Sequence, residues 1–511
     1  MNAVASGAAD SAGIRLDELV RRLPVRSTLA GDPSVRVRGV RHDSRSVLPG
    51  DLFVARKGQR VDAARFVDDA LVRGAAAVMM ATGAQAPIAM PVPIVFVDDV
   101  AAAFAHSAAL VYGSPSSALE VVGITGTNGK TTTVYLVRAA IDAALGRPAC
   151  GVMGTVGHAF STWQAAAEHT TPEADEVARA MAQMRELGAT HVAMEVSSHA
   201  IELGRVEAVR FRVAALTNLT QDHLDFHGSM EAYASVKRRL FTDLAPDAVV
   251  LNVDDAFGRE LALGASSRAL RVSARSTGAD ADVFPRRHHV SDAGVDVTVG
   301  TPGGDVKVTS SLVGEHNLDN ILLAIGIAHT LGLDLGRAAE GLSSAPAPPG
   351  RLERCDGPGD SVTVLVDYAH TPDALARALT AVRGIARRRL WCVFCCGGDR
   401  DATKRAPMGE AAGRLADEVI VTSDNPRGEE PGAIAAAVAA GVRAAGATPA
   451  IELDRRRAID LAVGSASDGD VILVAGKGHE TYQIVGQVKQ PFDDRIVARQ
   501  ALAQRRQRRG A

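Results

Sequence analysis

Gly123-Ile124-Thr125-Gly126-Thr127-Asn128-Gly129-Lys130-Thr131-Thr132-Thr133 carries the end of the apolar run at residues 119–124 straight into a loop and opens a helical pattern. A strand that ends in glycines and leads into a helix offers free backbone N–H groups and the positive end of a helix dipole. That arrangement seats a phosphate. Lys130 is placed to reach the β- and γ-phosphates of a nucleotide, and the Thr131 hydroxyl to sit on Mg2+. The usual spacing, two glycines with four residues between them before Lys-Ser/Thr, fails by one place: residue 124 is Ile, and the early glycines are Gly123 and Gly126. The loop is a compact variant.

Outward from the loop, strand and helix patterns alternate. Strands are expected at residues 192–196, 214–216 and 249–252, and a β-rich stretch at 271–313 precedes a helix near Asn317. Upstream, a helical pattern at 14–23 is followed by β-type runs such as 51–55 and 94–97. Downstream, strands are expected at 362–366, 390–396, 418–422 and 471–475. Such alternation argues for α/β layers with mainly parallel sheets. A Gly/Ser/Pro linker at 112–117 and a Pro-rich connector at 345–350 divide the 511 residues into three expected domains, 1–118, 119–347 and 348–511.

With 47% hydrophobic residues, 23% charged and a net charge of −3, the chain carries no global basic field for nucleic acid or anionic membrane. No apolar run long enough to span a bilayer and no signal peptide are read, so a cytoplasmic protein without membrane insertion is expected. Cys392, Cys395 and Cys396 fall in one apolar run without a second zinc-spaced pair; they read as core cysteines in a reducing compartment. The arginines at 505–509 read as a solvated, frayed tail. Only seven lysines stand among 56 basic residues, at 57, 130, 237, 307, 404, 477 and 489. A lysine kept against that bias is a candidate for chemistry that the permanently charged guanidinium cannot do.

Glu195, in Glu195-Val-Ser197-Ser-His199, ends an apolar run, where parallel sheets place ligands. Taken alone it is as readily a solvated strand-end glutamate. The segment at 217–228, with His223 and Asp225, is dense in polar ligand types. Together with these residues, Gly126-Thr127-Asn128-Gly129-Lys130-Thr131 resembles the loop of the Mur ligase family, which includes the folylpolyglutamate synthetases and joins a carboxylate to an amine through an acyl phosphate. The resemblance extends over nearly the whole chain. It implies ATP as the nucleotide, bound by residues 126–132, by Asn320 in the 314–320 segment and by Arg351. It also implies one Mg2+ on Thr131 and Glu195, and a second on His223 and on Lys237 carried as a CO2-derived carbamate. Carbamylation turns a repelling ammonium into an oxygen ligand, which arginine cannot do. Lys130, Lys237, His223 and Glu195 are thus the expected catalytic set.

Within the family, Asp424-Asn425-Pro426-Arg427 is similar to the segment of ligases that add meso-diaminopimelate. That amino acid differs from lysine by a second carboxylate, which Arg427 can hold bidentately. Arg400 is expected to bind carboxylate too, and Glu480 with the Gly476 carbonyl to hold the distal ammonium. Residues 43–45, with Ser44, and 50–55 resemble the UDP-binding domain; Thr170, Thr171, Ser197, Arg205 and Lys237 resemble contacts to the muramoyl dipeptide. Two departures stand out: Asp62-Ala63 replaces the family's Asp-Gly, and Leu203 stands where a polar residue often precedes the arginine by two places. The expected fold is three α/β domains: UDP-binding, central P-loop-type and C-terminal Rossmann-like. The expected activity is ATP-dependent addition of diaminopimelate to UDP-N-acetylmuramoyl-L-alanyl-D-glutamate in peptidoglycan synthesis, by a monomer acting on small molecules. Rival readings are another Mur ligase, a folylpolyglutamate synthetase, a P-loop regulatory NTPase that needs no amino acid, and a nucleotide-sugar-binding protein without catalysis.

Overall fold

A computed structural model describes residues 13–56, 63–84, 90–264, 269–291 and 293–510. Lys57, Gly58 and Asp62 lie outside the described residues. The chain gathers into two compact units. The first runs to residue 283 and adds 301–303 and 323–341; the second takes 284–300, 304–322 and the chain from 342 onward.

The first unit holds two large sheets. One has five strands in the order Ser27–Ala30, Ile94–Val97, Ala77–Ala81, Asp51–Val54, Gly39–Arg41, parallel except for its first pair. The other has eight, and its centre places the phosphate loop. There β2 (His191–Glu195), β1 (Glu120–Thr125) and β3 (Val213–Leu216) lie side by side and parallel. Val121, Val122 and Ile124 are wholly buried, as the continuous apolar run of an inner parallel strand requires. Helix α1 (Lys130–Leu145) follows the loop, with Gly129 and Gly146 in the left-handed region at its two ends. The loop glycines are steric necessities. A Cβ on Gly123 would come within 2.6 Å of the Phe211 ring, and one on Gly126, whose φ is +146°, would overlap the Thr217 hydroxyl.

The second unit is built on six strands. Glu353–Arg354 pairs antiparallel with β4 (Thr363–Asp367); β7 (Val471–Ala475), β5 (Leu390–Phe394), β6 (Glu418–Val421) and Ala450–Ile451 continue the sheet in parallel. A three-stranded sheet, Phe284–Ser291, Gly294–Thr301 and Gly304–Ser310, accounts for the β-rich stretch. Val313 packs in one core with Leu352, Leu365, Leu375, Leu379 and Phe394, so this segment shares the hydrophobic interior of the C-terminal strands. The five cysteines are free and buried. The frayed-tail reading of the C-terminal arginines is corrected: residues 494–510 form a helix. Arg505 donates to the Val463 carbonyl at 2.7 Å and Arg506 pairs with Asp360 at 2.7 Å, so two of these cations are anchored. Among the described residues no helix is long and apolar enough to cross a membrane.

Candidate active site

Pairing register brings the loop, Glu195 and Thr217 to one end of the eight-stranded sheet: Ile124 lies opposite Glu195, and Thr125 opposite Leu216. Glu195 is 1% exposed and its carboxylate is held from two sides. The Thr131 hydroxyl donates to Oε1 at 2.9 Å, the Thr155 N–H donates to the same oxygen at 2.8 Å, and the Thr155 hydroxyl reaches Oε2 at 3.3 Å. Lys130 folds back, its Nζ donating to the Gly126 and Thr127 carbonyls at 2.8 Å each. The loop is braced from β3 and its extension. The Thr217 hydroxyl donates to the Asn128 carbonyl at 2.6 Å, the Asn218 side chain accepts from the Asn128 N–H at 3.0 Å, and the Thr127 hydroxyl donates to the Thr220 carbonyl at 3.0 Å. Thr132 is buried in the first turn of α1.

Two hard oxygens, one anionic, meet at the mouth of a phosphate loop, and this donor set fits Mg2+. Among the described residues no group of three or more His, Cys, Asp and Glu side chains forms a metal site.

Lys237 lies on helix α2 (Met230–Thr242) and is 1% exposed. Its Nζ donates to the Thr125 hydroxyl at 3.2 Å and the Gly126 carbonyl at 3.0 Å, and stands 4.8 Å from the Tyr233 ring centroid. Burial, with the Lys130 charge nearby, pushes its amine well below the usual lysine range. A neutral amine is the form that takes up CO2. His223 occupies the left-handed region at φ +53°; its ring is partly exposed, 3.4 Å from Asp222 and 4.8 Å centroid to centroid from His199.

The expected dipeptide contacts share the same carboxyl end. The Thr171 hydroxyl donates to the backbone carbonyl of Glu195 at 2.7 Å and accepts from the Ser197 N–H at 3.0 Å; the Thr170 hydroxyl is 3.2 Å from that of Thr155. Arg205 donates to the Thr171 carbonyl at 2.9 Å and pairs with Glu173 at 2.6 Å. Burial alone would raise the Glu173 carboxyl, yet Arg205, Arg56 and His42 hold it below the ordinary carboxylate range. Ser44 is buried in a short 3-10 turn of the five-stranded part.

In the second unit the loops after β6 and β7 meet. The Asn425 amide donates to Glu480 Oε2 at 2.9 Å, while its oxygen accepts from Lys477 Nζ at 3.2 Å and from the Ile484 N–H at 2.9 Å. Lys477, wholly buried, pairs with Glu480 at 2.8 Å. Burial would raise the Glu480 carboxyl, but Lys477 and the Asn425 amide hold it low. Arg427 takes φ +50° and donates to the Gly398 carbonyl at 2.8 Å. Asp424 is buried under Gly476, where an added Cβ would come within 2.7 Å of its carboxylate; burial raises its carboxyl despite Arg455 and Lys477. Pro426 lies buried between these residues, and Arg400 is exposed.

Asn320 donates to the Asn317 side chain at 3.0 Å within the second unit, and the Arg351 guanidinium stands 4.8 Å from the Tyr368 ring centroid. Thr155, Glu173, Arg56 and Lys477 were not read as site residues from the sequence. A hydroxyl or charge acquires such a role only through partners distant in sequence, and Lys477 alone carried a signal, its rarity.

The comparisons with known proteins agree with this layout. Residues 36–112 match "Mur ligase family, catalytic domain", 124–328 match "Mur ligase middle domain" and 350–478 match "Mur ligase, glutamate ligase domain". A protein of Gloeobacter violaceus named UDP-N-acetylmuramoyl-L-alanyl-D-glutamate--2,6-diaminopimelate ligase is 44% identical over 97% of this chain and 99% of its own. One of Pseudomonas aeruginosa with the same name is 44% identical over 91% of this chain and 95% of its own. A solved structure of a ligase of that name superposes with a TM-score of 0.67 at 32% identity, covering 96% of this chain and 99% of the other. With all three parts matched and relatives this similar along almost the entire length, the chain belongs to the Mur ligase family.

Proposed function

We propose that the chain is the ATP-dependent ligase that adds meso-diaminopimelate to the D-glutamate of UDP-N-acetylmuramoyl-L-alanyl-D-glutamate, releasing ADP and phosphate in peptidoglycan synthesis. The observation that carries this reading is Glu195: its carboxylate binds Thr131 of the phosphate loop, and its carbonyl binds Thr171. One residue thus joins the seat of a γ-phosphate to the loop expected to meet an acceptor carboxylate.

The D-glutamate carboxylate attacks the γ-phosphorus and ADP leaves. The diaminopimelate amine then attacks the acyl carbon, and phosphate leaves. Such transfers depend chiefly on positioning and charge stabilisation. Lys130 and the N–H groups of residues 126–132 hold the polyphosphate, with Asn320 and Arg351 as further nucleotide contacts. Ser44, Thr170, Thr171, Ser197 and Arg205 hold the nucleotide-sugar dipeptide. Arg427 and Arg400 take the distal carboxylate, with Asp424, Asn425, Pro426, Gly476 and Glu480 shaping the rest of that pocket. Thr131 and Glu195 would hold one Mg2+, and His223 with Lys237 as carbamate a second, and these ions would supply neutralisation of the phosphate charge. Burial, which lowers the Lys237 amine's pKa, supports carbamylation. The division into parts 1–118, 119–347 and 348–511, action as a monomer and a cytoplasmic site belong to the same reading.

Phosphate release tests it, with ATP, UDP-N-acetylmuramoyl-L-alanyl-D-glutamate and either meso-diaminopimelate, L-lysine or no amino acid. Release with diaminopimelate alone, lost in Arg427→Ala, is expected. Equal release without amino acid would make the chain a regulatory NTPase, and release with lysine would overturn the role of Arg427.

A further inference from the structure

Arg56 follows the strand Asp51–Val54 of the five-stranded sheet and has no place in the mechanism above. Its guanidinium stands 5.2 Å from the Phe104 ring centroid, donates to the Leu203 carbonyl at 3.2 Å and pairs with Glu173 Oε2 at 3.0 Å. The other Glu173 oxygen, Oε1, pairs with Arg205 Nη2 at 2.6 Å. One carboxylate is therefore split between two guanidiniums.

The split has a geometric consequence. A carboxylate left alone with an arginine prefers the fork, one oxygen on each of two neighbouring N–H groups. Arg56 holds Oε2, so Glu173 meets Arg205 through one oxygen only. Arg205 Nη1 is spent on the Thr171 carbonyl, and its buried Nε–H has no acceptor among the described residues, although the residue is only 9% exposed. A buried donor without an acceptor loses the hydrogen bond that water gave it and gains nothing in return. An entering oxygen ligand recovers it. The loop beside that donor is Thr170–Thr171, so the oxygen expected there is a carboxylate of the dipeptide.

We propose that Arg56 is a positioning residue: by holding one oxygen of Glu173 it stops that carboxylate closing as a fork on Arg205, and so keeps Arg205 open to a carboxylate of the peptide-bearing substrate. The inference rests on the functional reading above for the identity of that substrate. Without Arg56, Glu173 rotates onto Nε and Nη2 and occupies the place of the ligand. Lysine at position 56 can still hold one oxygen; glutamine cannot.

Titration calorimetry on the full chain, with UDP-N-acetylmuramoyl-L-alanyl-D-glutamate and with UDP alone, tests this. Arg56→Gln is expected to bind the dipeptide ligand about tenfold more weakly, with UDP binding unchanged. Arg56→Lys should stay within about threefold of wild type. The decisive arm is Arg56→Gln with Glu173→Ala, which removes the competing carboxylate and should recover most of the lost affinity, a rescue that a merely structural role for Arg56 does not give. Unchanged affinity in Arg56→Gln, equal weakening for UDP, or no recovery in the double variant would each overturn the proposal. Wild-type protein that binds the dipeptide ligand no better than UDP would instead overturn the functional reading.

Discussion

At the scale of single residues, burial sets the chemistry. His316, next to Gly314 in the second unit, is pushed down to about 4 by burial, with the Arg377 charge adding to the effect. The folded chain therefore holds it neutral, while the unfolded chain takes up a proton near the ordinary histidine pKa of about 6.5. The stability tied to its neutral form is complete above that pH and is lost as pH falls from there towards 4. Urea midpoints measured across this range are expected to drop in wild type and to drop less in His316→Gln; parallel curves would refute the assignment. The sequence singled out Glu195 by its place at the end of an apolar run, Lys237 by its rarity and the family resemblance, and Arg427 by that resemblance and its fit to a second carboxylate. It did not reveal Thr155, which meets Glu195 forty positions away, nor that Glu480 already shares its charge with Lys477. Such partnerships arise from register and turn geometry, which no local pattern encodes.

At the scale of elements, the hairpin Tyr482–Val485/Val488–Pro491 positions Arg427. The Arg427 N–H donates to the Ile484 carbonyl at 3.2 Å, the Gly486 N–H donates to the Arg427 carbonyl at 2.8 Å, and Gln483 donates to the Asp424 carbonyl at 2.7 Å. These bonds hold a non-glycine residue at φ +50°, a conformation that costs an ordinary side chain about 1–2 kcal/mol. Arg427→Gly is therefore expected to be more stable than Arg427→Ala by about 0.5–1 kcal/mol, once the greater freedom of unfolded glycine is subtracted. Both should lose diaminopimelate-dependent phosphate release. Denaturant melts of the two variants check the order, and an alanine variant as stable as the glycine one would show that the backbone there is unstrained. The long strands were legible, mostly to within a residue or two, since inner parallel strands are unbroken apolar runs. The hairpin was not read, although Gly486-Gln487 between two short β-type runs is the composition of a two-residue turn.

At the scale of the whole molecule, one hydrophobic core takes residues from both sides of the Pro-rich connector. Val313 and its segment share a core with Leu352, Leu365 and Phe394, although the connector at 345–350 separates them in sequence. A fragment of residues 304–511 is thus expected to show a higher urea midpoint than one of 348–511, which exposes the surface Val313 covers; equal midpoints would return the boundary to the connector. Composition marks where a chain can bend, whereas contacts decide which side a segment joins. The last consequence belongs to Glu195, whose side chain serves the phosphate loop and whose carbonyl anchors Thr171. The proposed nucleotide and dipeptide sites meet at this one residue. Nucleotide and dipeptide should each alter the affinity of the other, and by the same factor, because linkage is reciprocal. Glu195→Gln is expected to shrink that factor in both directions alike, and a factor that titration calorimetry finds unchanged would show that the two sites do not communicate through this residue.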